Sequence, residues 1–463
     1  MPIHIVVLGA YSALLMALGL WIGRRVRGAA DFFVAGRRLG PGLIFSTMLA
    51  ANIGAGSTVG ATSLGYASGL AAWWWVGSAA IGSVVLALWI GPAIRREAAL
   101  HDLRTVGDYL EFRYNRTVRG VVSALLWVGS IAILAGQLIA LAWILNVVAG
   151  IPKPAGCAIG GAVITVYFAA GGLLTAAWVN VVQLSVKLGG FTLALPLALD
   201  RAGGWNTVSA VRAADTAYWT FFRLDVPGLL YLALLGPAFV VSPGLLQKIF
   251  GARDDRAVRL GVGLNALGLF AYAGVPVLLG VIARARFPAL AANDLALPTI
   301  LMHGLPPLVG AIGLAAVFSA EVSAADAVLF MLTTSLSQDL YKGFVRPSAT
   351  DAQVLRAARW TTGVSGALGV LLAIVSASVV SVLTIFYTLL GVSLFVPIVA
   401  GLYVRRTNAA DALTAITAGV GGMLVAQFTT GGRGWGAFTP ALVGLLAAFA
   451  AWLLAQLRAR RAQ

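Results

Sequence analysis

Charge is scarce in this sequence. Only 10% of the 463 residues are Asp, Glu, Lys or Arg, and the 16 acids are outnumbered by 32 bases. A chain that is 60% hydrophobic, with mean hydropathy +0.92, cannot give each of its elements a polar face, so a soluble globular domain is excluded. Cysteine occurs once, at Cys157, which leaves no disulfide framework. Histidine occurs three times; His4, His101 and His303 fall at or beyond the ends of the apolar runs, without metal-ligand spacing. No phosphate-cradling glycine loop and no Ser–His–Asp set occurs, which argues against an ATP-driven pump and against an enzyme; no cofactor is expected. Nor does any tract alternate in the ten-residue manner of an outer-membrane barrel.

What is abundant is apolar sequence in runs of about 20 residues, the length that crosses a bilayer core. Hydropathy predicts an all-α polytopic membrane protein with helices near 3–23, 42–66, 70–94, 118–147, 155–170, 173–198, 227–247, 258–282, 308–336, 360–379, 381–404, 411–428 and 438–457. Thirteen spans put the termini on opposite sides. Loops on one side carry 24 of the 32 bases, among them Arg24, Arg25, Arg27, Arg37, Arg38, Arg95, Arg119 and Lys248; the other side carries seven. The positive-inside rule then places the N-terminus outside and the C-terminus in the cytoplasm, in a cytoplasmic (inner) membrane. The basic excess is topological and implies no nucleic-acid partner. The N-terminal helix lacks a cationic lead and is read as retained. No soluble domain is expected before or after the membrane part. The outer loop near 199–226 is expected to hold a short helix. Trp73, Trp74, Trp75 and Trp435 fit an interfacial aromatic belt, while Trp143 and Trp178 fit either belt or packing.

Two spans are interrupted. "LAANIGAGSTVGATSLGY", residues 49–66, places Gly54, Gly56, Gly60 and Asn52 where a lipid-facing helix would be continuous. "LLGPAFVVSPGLLQ" adds Gly236, Pro237, Pro243 and Gly244, and interior prolines break helices. Close packing through small residues would account for the glycines alone. The pair, five spans apart, is what two inverted repeats with unwound mid-membrane segments would produce, and the freed main-chain groups there would hold an ion and a solute.

Away from the ends of the predicted spans, three charged residues remain inside the bilayer: Lys187, Glu321 and Asp326. Charge at that depth costs several kcal/mol at least, about 2.5–3.5 on insertion scales, and marks function by default. A structural ion pair between two helices is the plain alternative.

At this point the residues are familiar. "DFFVAGRRLGPGLIFSTMLAANIGAGSTVGATSLGYASG", "TVGDYLEFRYN", "VYFAAGGLLTAAWVNVVQ" and "AAVFSAEVSAADAVLFMLTTSLSQDLYK" resemble motifs of the sodium/solute symporter family, over about residues 8–430. The resemblance implies a LeuT-like fold: inverted repeats at 42–198 and 227–404, one leading helix and two trailing ones. It implies a cation site made by the carbonyls of Ala50, Ile53 and Ala320, with Ser323 as a hydroxyl ligand. Ala324 stands where the family places a second hydroxyl. Asn180 stands where some members have an aspartate.

Two coupling modes follow. The resemblance implies sodium as the coupling ion. Alternatively Lys187, paired with Glu321 or Asp326, takes the place of the ion in a proton-coupled or sodium-independent carrier. For the solute, Asn52, Ser57 and Thr58 are expected to face the cavity from the first break, Phe239 and Ser242 from the second, and Phe386 and Tyr387 from the tenth core helix. Gly56 and Ser57 replace the polar pair that sugar carriers of the family have, so a small amino acid or carboxylate is the expected solute. No cation beyond Lys187 marks a carboxylate site in the sequence. The expected activity is secondary active transport by alternating access. A channel would need a continuous polar pore, and a membrane sensor would need an output domain that "QLRARRAQ" does not supply. The expected partners are the solute and the lipid bilayer; nothing in the sequence fixes an oligomer.

Overall fold

A computed structural model describes residues 3–23, 37–169, 173–211, 215–223 and 228–461. Arg24, Arg25 and Arg27, the Gly171–Gly172 pair and Arg212 lie outside the described residues. The described chain is helical, with two isolated β-bridges and no extended strand among the described residues.

In chain order the helices are α1 (Ile3–Gly23), α2 (Pro41–Asn52), a π-turn Gly56–Gly60 leading into α3 (Ala61–Ser68), α4 (Trp73–Val85), α5 (Gly91–Leu100), α6 (Val106–Arg113), α7 (Arg116–Ala149), α8 (Lys153–Ala169) and α9 (Leu173–Arg201). They continue with α10 (Gly204–Ser209), α11 (Tyr231–Val241), α12 (Pro243–Phe250), α13 (Asp255–Arg286), α14 (Ala296–His303), α15 (Pro307–Thr334), α16 (Asp351–Val375), α17 (Val379–Tyr403), α18 (Ala409–Thr429) and α19 (Pro440–Arg461). Among the described residues ten helices are long and apolar enough to span a bilayer, with Gly56–Leu100 taken as one 45-residue piece.

A straight helix of that length would run about 67 Å, twice the hydrocarbon core. It does not run straight, because Gly69 at φ 71°, ψ −141° turns the chain between α3 and α4. Only glycine serves there: a Cβ would lie 1.8 Å from the Tyr218 carbonyl oxygen. Each of the thirteen expected ranges holds helix, but the exact count of thirteen spans is not confirmed, since ten pass by length and composition among the described residues. The first interrupted span divides, with α2 only 12 residues long, and α8 has 17. Two short helices, α6 and α14, stand where only loops were expected. The predicted outer helix near 199–226 corresponds to α10 and a 3₁₀ turn at Thr216–Trp219.

Helix ends at the aqueous boundary are capped by side chains, which matters where no lipid-phase partner exists for a free amide. Thr105 with Asp108, Thr350 with Gln353, Ser378 with Ser381 and Asn408 with Asp411 form reciprocal capping boxes. Inside the bundle, α13 packs along α2, α3 and α4. Small residues allow its closest approach, since a Cβ on Gly280 would come within 2.2 Å of the Thr62 carbonyl oxygen. The α9 helix lies along α15, and α7 along α17. The α9–α15 pairing brings Lys187 and Ser323 together at the first break.

Candidate functional site

Both expected interruptions are present. The α2 helix ends at Asn52, and Ile53 takes φ −87°, ψ 85°, outside the helical region. The amides released there are met by side chains: Gly54 N–H donates to Ser57 Oγ at 3.1 Å, and Ala55 N–H to Gln137 Oε1 at 2.9 Å. Ser57 Oγ donates to the Asn52 carbonyl at 2.7 Å. In the second span Pro237 is accommodated inside α11, and the break falls at Ser242, φ −56°, ψ 119°, immediately before Pro243. A proline at the first helical position costs no hydrogen bond, which is why Pro243 restarts a helix while ending the previous one.

The carbonyls freed at the first break converge on one ammonium group. Lys187, fully buried on α9, donates to Ala50 O at 2.5 Å, to Ile53 O at 3.1 Å and to Ser323 Oγ. Ser323 Oγ also bonds Ala50 O at 2.9 Å. An ammonium has three donors, and all three are used here. The ion pair expected between Lys187 and Glu321 or Asp326 is therefore not formed. Lys187 bonds main-chain and hydroxyl oxygens, and the carboxylates act on it only through space.

Glu321 is buried on the far side of the break, accepting at Oε1 from Thr58 Oγ1 at 2.7 Å. Asp326 is buried on α15 and does not line the cavity described below. Ala320 gives its carbonyl to Ser323 Oγ at 3.2 Å rather than to Lys187. Asn180 donates to Thr47 Oγ1 at 3.0 Å, about two helical turns from the ammonium, and takes no part in this cluster.

Next to this cluster lies a cavity of about 70 Å³, room for a handful of water molecules. Asn52, Ser57, Phe239, Ser242, Phe386 and Tyr387 line it as expected, joined by Trp75, Gln137 and Ala324. Thr58 does not. One residue on from Ser57, about 100° around the helix, it faces away from the cavity toward Glu321 and ties the break to α15. Ala324 contributes a methyl to the wall, not a ligand. Asn52 is oriented by its bond to Asn265 Oδ1 at 3.0 Å.

Aromatic rings close one end of the cavity. Tyr387 lies 5.7 Å from Phe239 and 6.1 Å from Trp75 (centroid to centroid), and Trp75 Nε1 donates to Gly56 O at 2.8 Å. A second cavity of about 500 Å³ lies beyond Tyr231, between α11, α17 and the α18–α19 loop, and touches neither break.

The sequence reading missed Lys248. Counted there as a loop cation, it sits on α12, 3% exposed, with Nζ bonded to no group among the described residues, and it lines the cavity. Its signal was available: residues 244, 245 and 248 share one helical face below a break already identified.

Gly54 holds the two halves of the site in register. A Cβ there would lie 2.4 Å from the Ala324 methyl and 3.0 Å from Gln137 Oε1. Gly54→Ala should therefore push the break off α15 and abolish uptake while the protein still inserts. Measuring uptake per folded molecule checks this, and full activity would show that the break is not held against α15.

The chain matches the sodium:solute symporter family over residues 32–419. It is 28% identical over 445 residues to the sodium/pantothenate symporter of Escherichia coli (strain K12), covering 92% of this chain and 89% of that one. It is 27% identical over 371 residues to the sodium/iodide cotransporter of Homo sapiens, covering 74% of this chain but 56% of that longer relative. In fold it is similar to a Na+-coupled sialic acid symporter, with TM-score 0.81 at 19% identity over 98% of this chain and 97% of the other. With the family matched over most of its length, apolar spans throughout and a mid-membrane cavity between two helix breaks, the chain belongs to the sodium:solute symporter family, whose members are multi-pass membrane transporters.

Proposed function

We propose that this protein is a secondary active symporter of a small organic solute, an amino acid or a carboxylate, driven by a cation gradient through alternating access. One observation carries the reading: two mid-membrane helix breaks face one small cavity, and the carbonyls of the first break hold a cation. Main chain that has lost its helical partners at that depth is tolerated only where it lines a cavity or is buried in protein, and here it does both. The repeats at 42–198 and 227–404 supply one break each and pack against one another along several helices. Only a difference in affinity between outward- and inward-open states lets solute and cation shift their populations. The arginine-rich loops face the cytoplasm and the N-terminus faces outside, in a cytoplasmic membrane.

Sodium is the coupling ion that the family and the names of the relatives support. The oxygens of Ala50, Ile53 and Ser323 are hard ligands of the kind it takes. A second reading, which the family and the relatives do not favour, rests on the placement of Lys187 alone, whose ammonium occupies the centre of those oxygens. In that reading the lysine is a tethered cation, and a proton moving on and off it replaces sodium.

Uptake into proteoliposomes, with sodium and pH gradients imposed separately across a panel of small solutes, tests both. Sodium-driven accumulation supports the first reading. Accumulation driven by a proton gradient and indifferent to sodium supports the second. Facilitated equilibration that neither gradient can push uphill would overturn symport.

A further inference from the structure

Lys248 is the one charged side chain among the residues lining the cavity. The acids near the site do not reach the cavity wall. Glu321 is turned to Thr58, and Asp326 lies on α15 away from the lining. The other cation, Lys187, spends its three donors on the first break. Lys248 has no hydrogen-bond partner and no ion-pair partner within 4.0 Å among the described residues, although it is 3% exposed. A buried ammonium left without a counter-charge is costly, and the cost is relieved by a counter-charge or by loss of the proton.

Its position says where the pairing occurs. Lys248 lies six residues beyond the Ser242 break, about 9 Å along α12. Side chains on a helix lean toward its N-terminus, so Lys248 leans back toward the break. The N-terminus of α12, an eight-residue helix, faces the same space with its own partial positive charge. The rest of the lining is largely apolar and includes a cluster of rings, Trp75, Phe239, Phe386 and Tyr387.

We propose that the solute is an organic monocarboxylate without an amino group. Its carboxylate pairs with Lys248, and its apolar body lies under the aromatic layer. The inference rests on the symport reading and narrows its solute. An α-amino acid would bring an ammonium for which the lining offers only neutral acceptors, and a cationic solute would meet Lys248 as a like charge.

The test uses the full chain in proteoliposomes and matched acid–amide pairs, benzoate with benzamide, phenylacetate with phenylacetamide and pantothenate with pantothenol, together with proline, choline and iodide. At least one acid should be carried at least tenfold better than its amide. Lys248→Gln should raise the half-saturating concentration of that acid at least tenfold, and Lys248→Arg should hold it within about threefold of wild type. In the wild-type protein the carried acid should also protect Lys248 from an amine-reactive label, read by peptide mass, so the result does not depend on a variant folding.

Carriage of amides, proline, choline or iodide in preference to the acids would overturn the proposal while leaving symport intact. So would unchanged acid uptake by Lys248→Gln. If no solute of any charge is carried by the wild-type protein, the symport reading falls, and this one falls with it.

Discussion

Replacing Lys187 by alanine is expected to cut solute accumulation about a hundredfold and to make the protein's thermal stability respond more strongly to sodium than the wild type's does. The substitution removes an ammonium from a fully buried position and leaves Ala50 O, Ile53 O and Ser323 Oγ around a hole. Each buried acceptor that loses its donor costs about 1–3 kcal/mol, less what entering water restores. Those oxygens are also what a small hard cation binds. In potassium buffer Lys187→Ala should therefore melt several degrees below wild type, and sodium should restore part of the loss by mass action, about 2.7 kcal/mol at a hundred times its dissociation constant. Lys187→Arg should not substitute, because a planar guanidinium cannot aim three donors at the same three oxygens. Thermal unfolding in detergent, titrated with sodium against potassium, reads the effect. A wild type stabilised by sodium as strongly as the variant would show that ion and ammonium do not compete for these oxygens.

The features legible in the sequence were those that break a rule of membrane helices. Glycines at 54, 56 and 60 and the proline at 243 are costly in a lipid-facing helix, so they announced the breaks, and both breaks lie where they were expected. Lys187 was conspicuous as a charge in an apolar span. Its partners were not, because a sequence displays side-chain charges and hides main-chain carbonyls. Glu321 and Asp326 were therefore read as its mates, whereas the freed oxygens of Ala50 and Ile53 hold it.

Thr58 was assigned to the cavity by its closeness to Ser57, but a one-residue step around the helix turned it to Glu321. Lys248 was lost in the count of loop cations because it stands three residues before Gly251, where α12 ends. Hydropathy cannot tell a lysine that leans out to water from one that leans back into a cavity. The short helices α6 and α14 were missed because each has eight residues, too short for a span, and α6 is not apolar.

Arg119 was likewise counted as a loop cation, and the structure puts it in a buried cluster whose loss should be the most damaging to stability. Its Nη2 lies 2.9 Å from Asp339 Oδ1 and 3.0 Å from Asp108 Oδ1, and its Nη1 lies 2.6 Å from Glu111 Oε2. Thr105 Oγ1 donates to Asp339 Oδ1 at 2.7 Å, and a Cβ on Gly107 would lie 2.6 Å from the Asp339 carboxyl carbon. The "TVGDYLEFRYN" stretch thus has a physical role. It folds as the capped helix α6 and brings two carboxylates to the base of α7, facing Asp339 on the π-helical segment that continues α15.

Arg119→Ala would strand Asp339, of which 4% is exposed, without its cation; breaking a buried pair in this way costs about 3–5 kcal/mol. The Glu111 contact adds little, because that side chain is 40% exposed and solvent screens it. Arg119→Lys should recover only a minority of the loss, since one ammonium cannot reproduce the guanidinium fork. Arg119→Ala combined with Asp339→Asn should recover more, because it removes the stranded charge along with its partner. Melting temperatures of the four proteins in one detergent decide the matter, and an Arg119→Ala variant that melts with the wild type would mean the cluster holds nothing together. Because α15 carries Ser323 at one end of this path and continues into the Asp339 segment at the other, the same substitution should loosen the Lys187 site as well. Solute affinity and stability should then fall together in Arg119→Ala and recover together in the double variant.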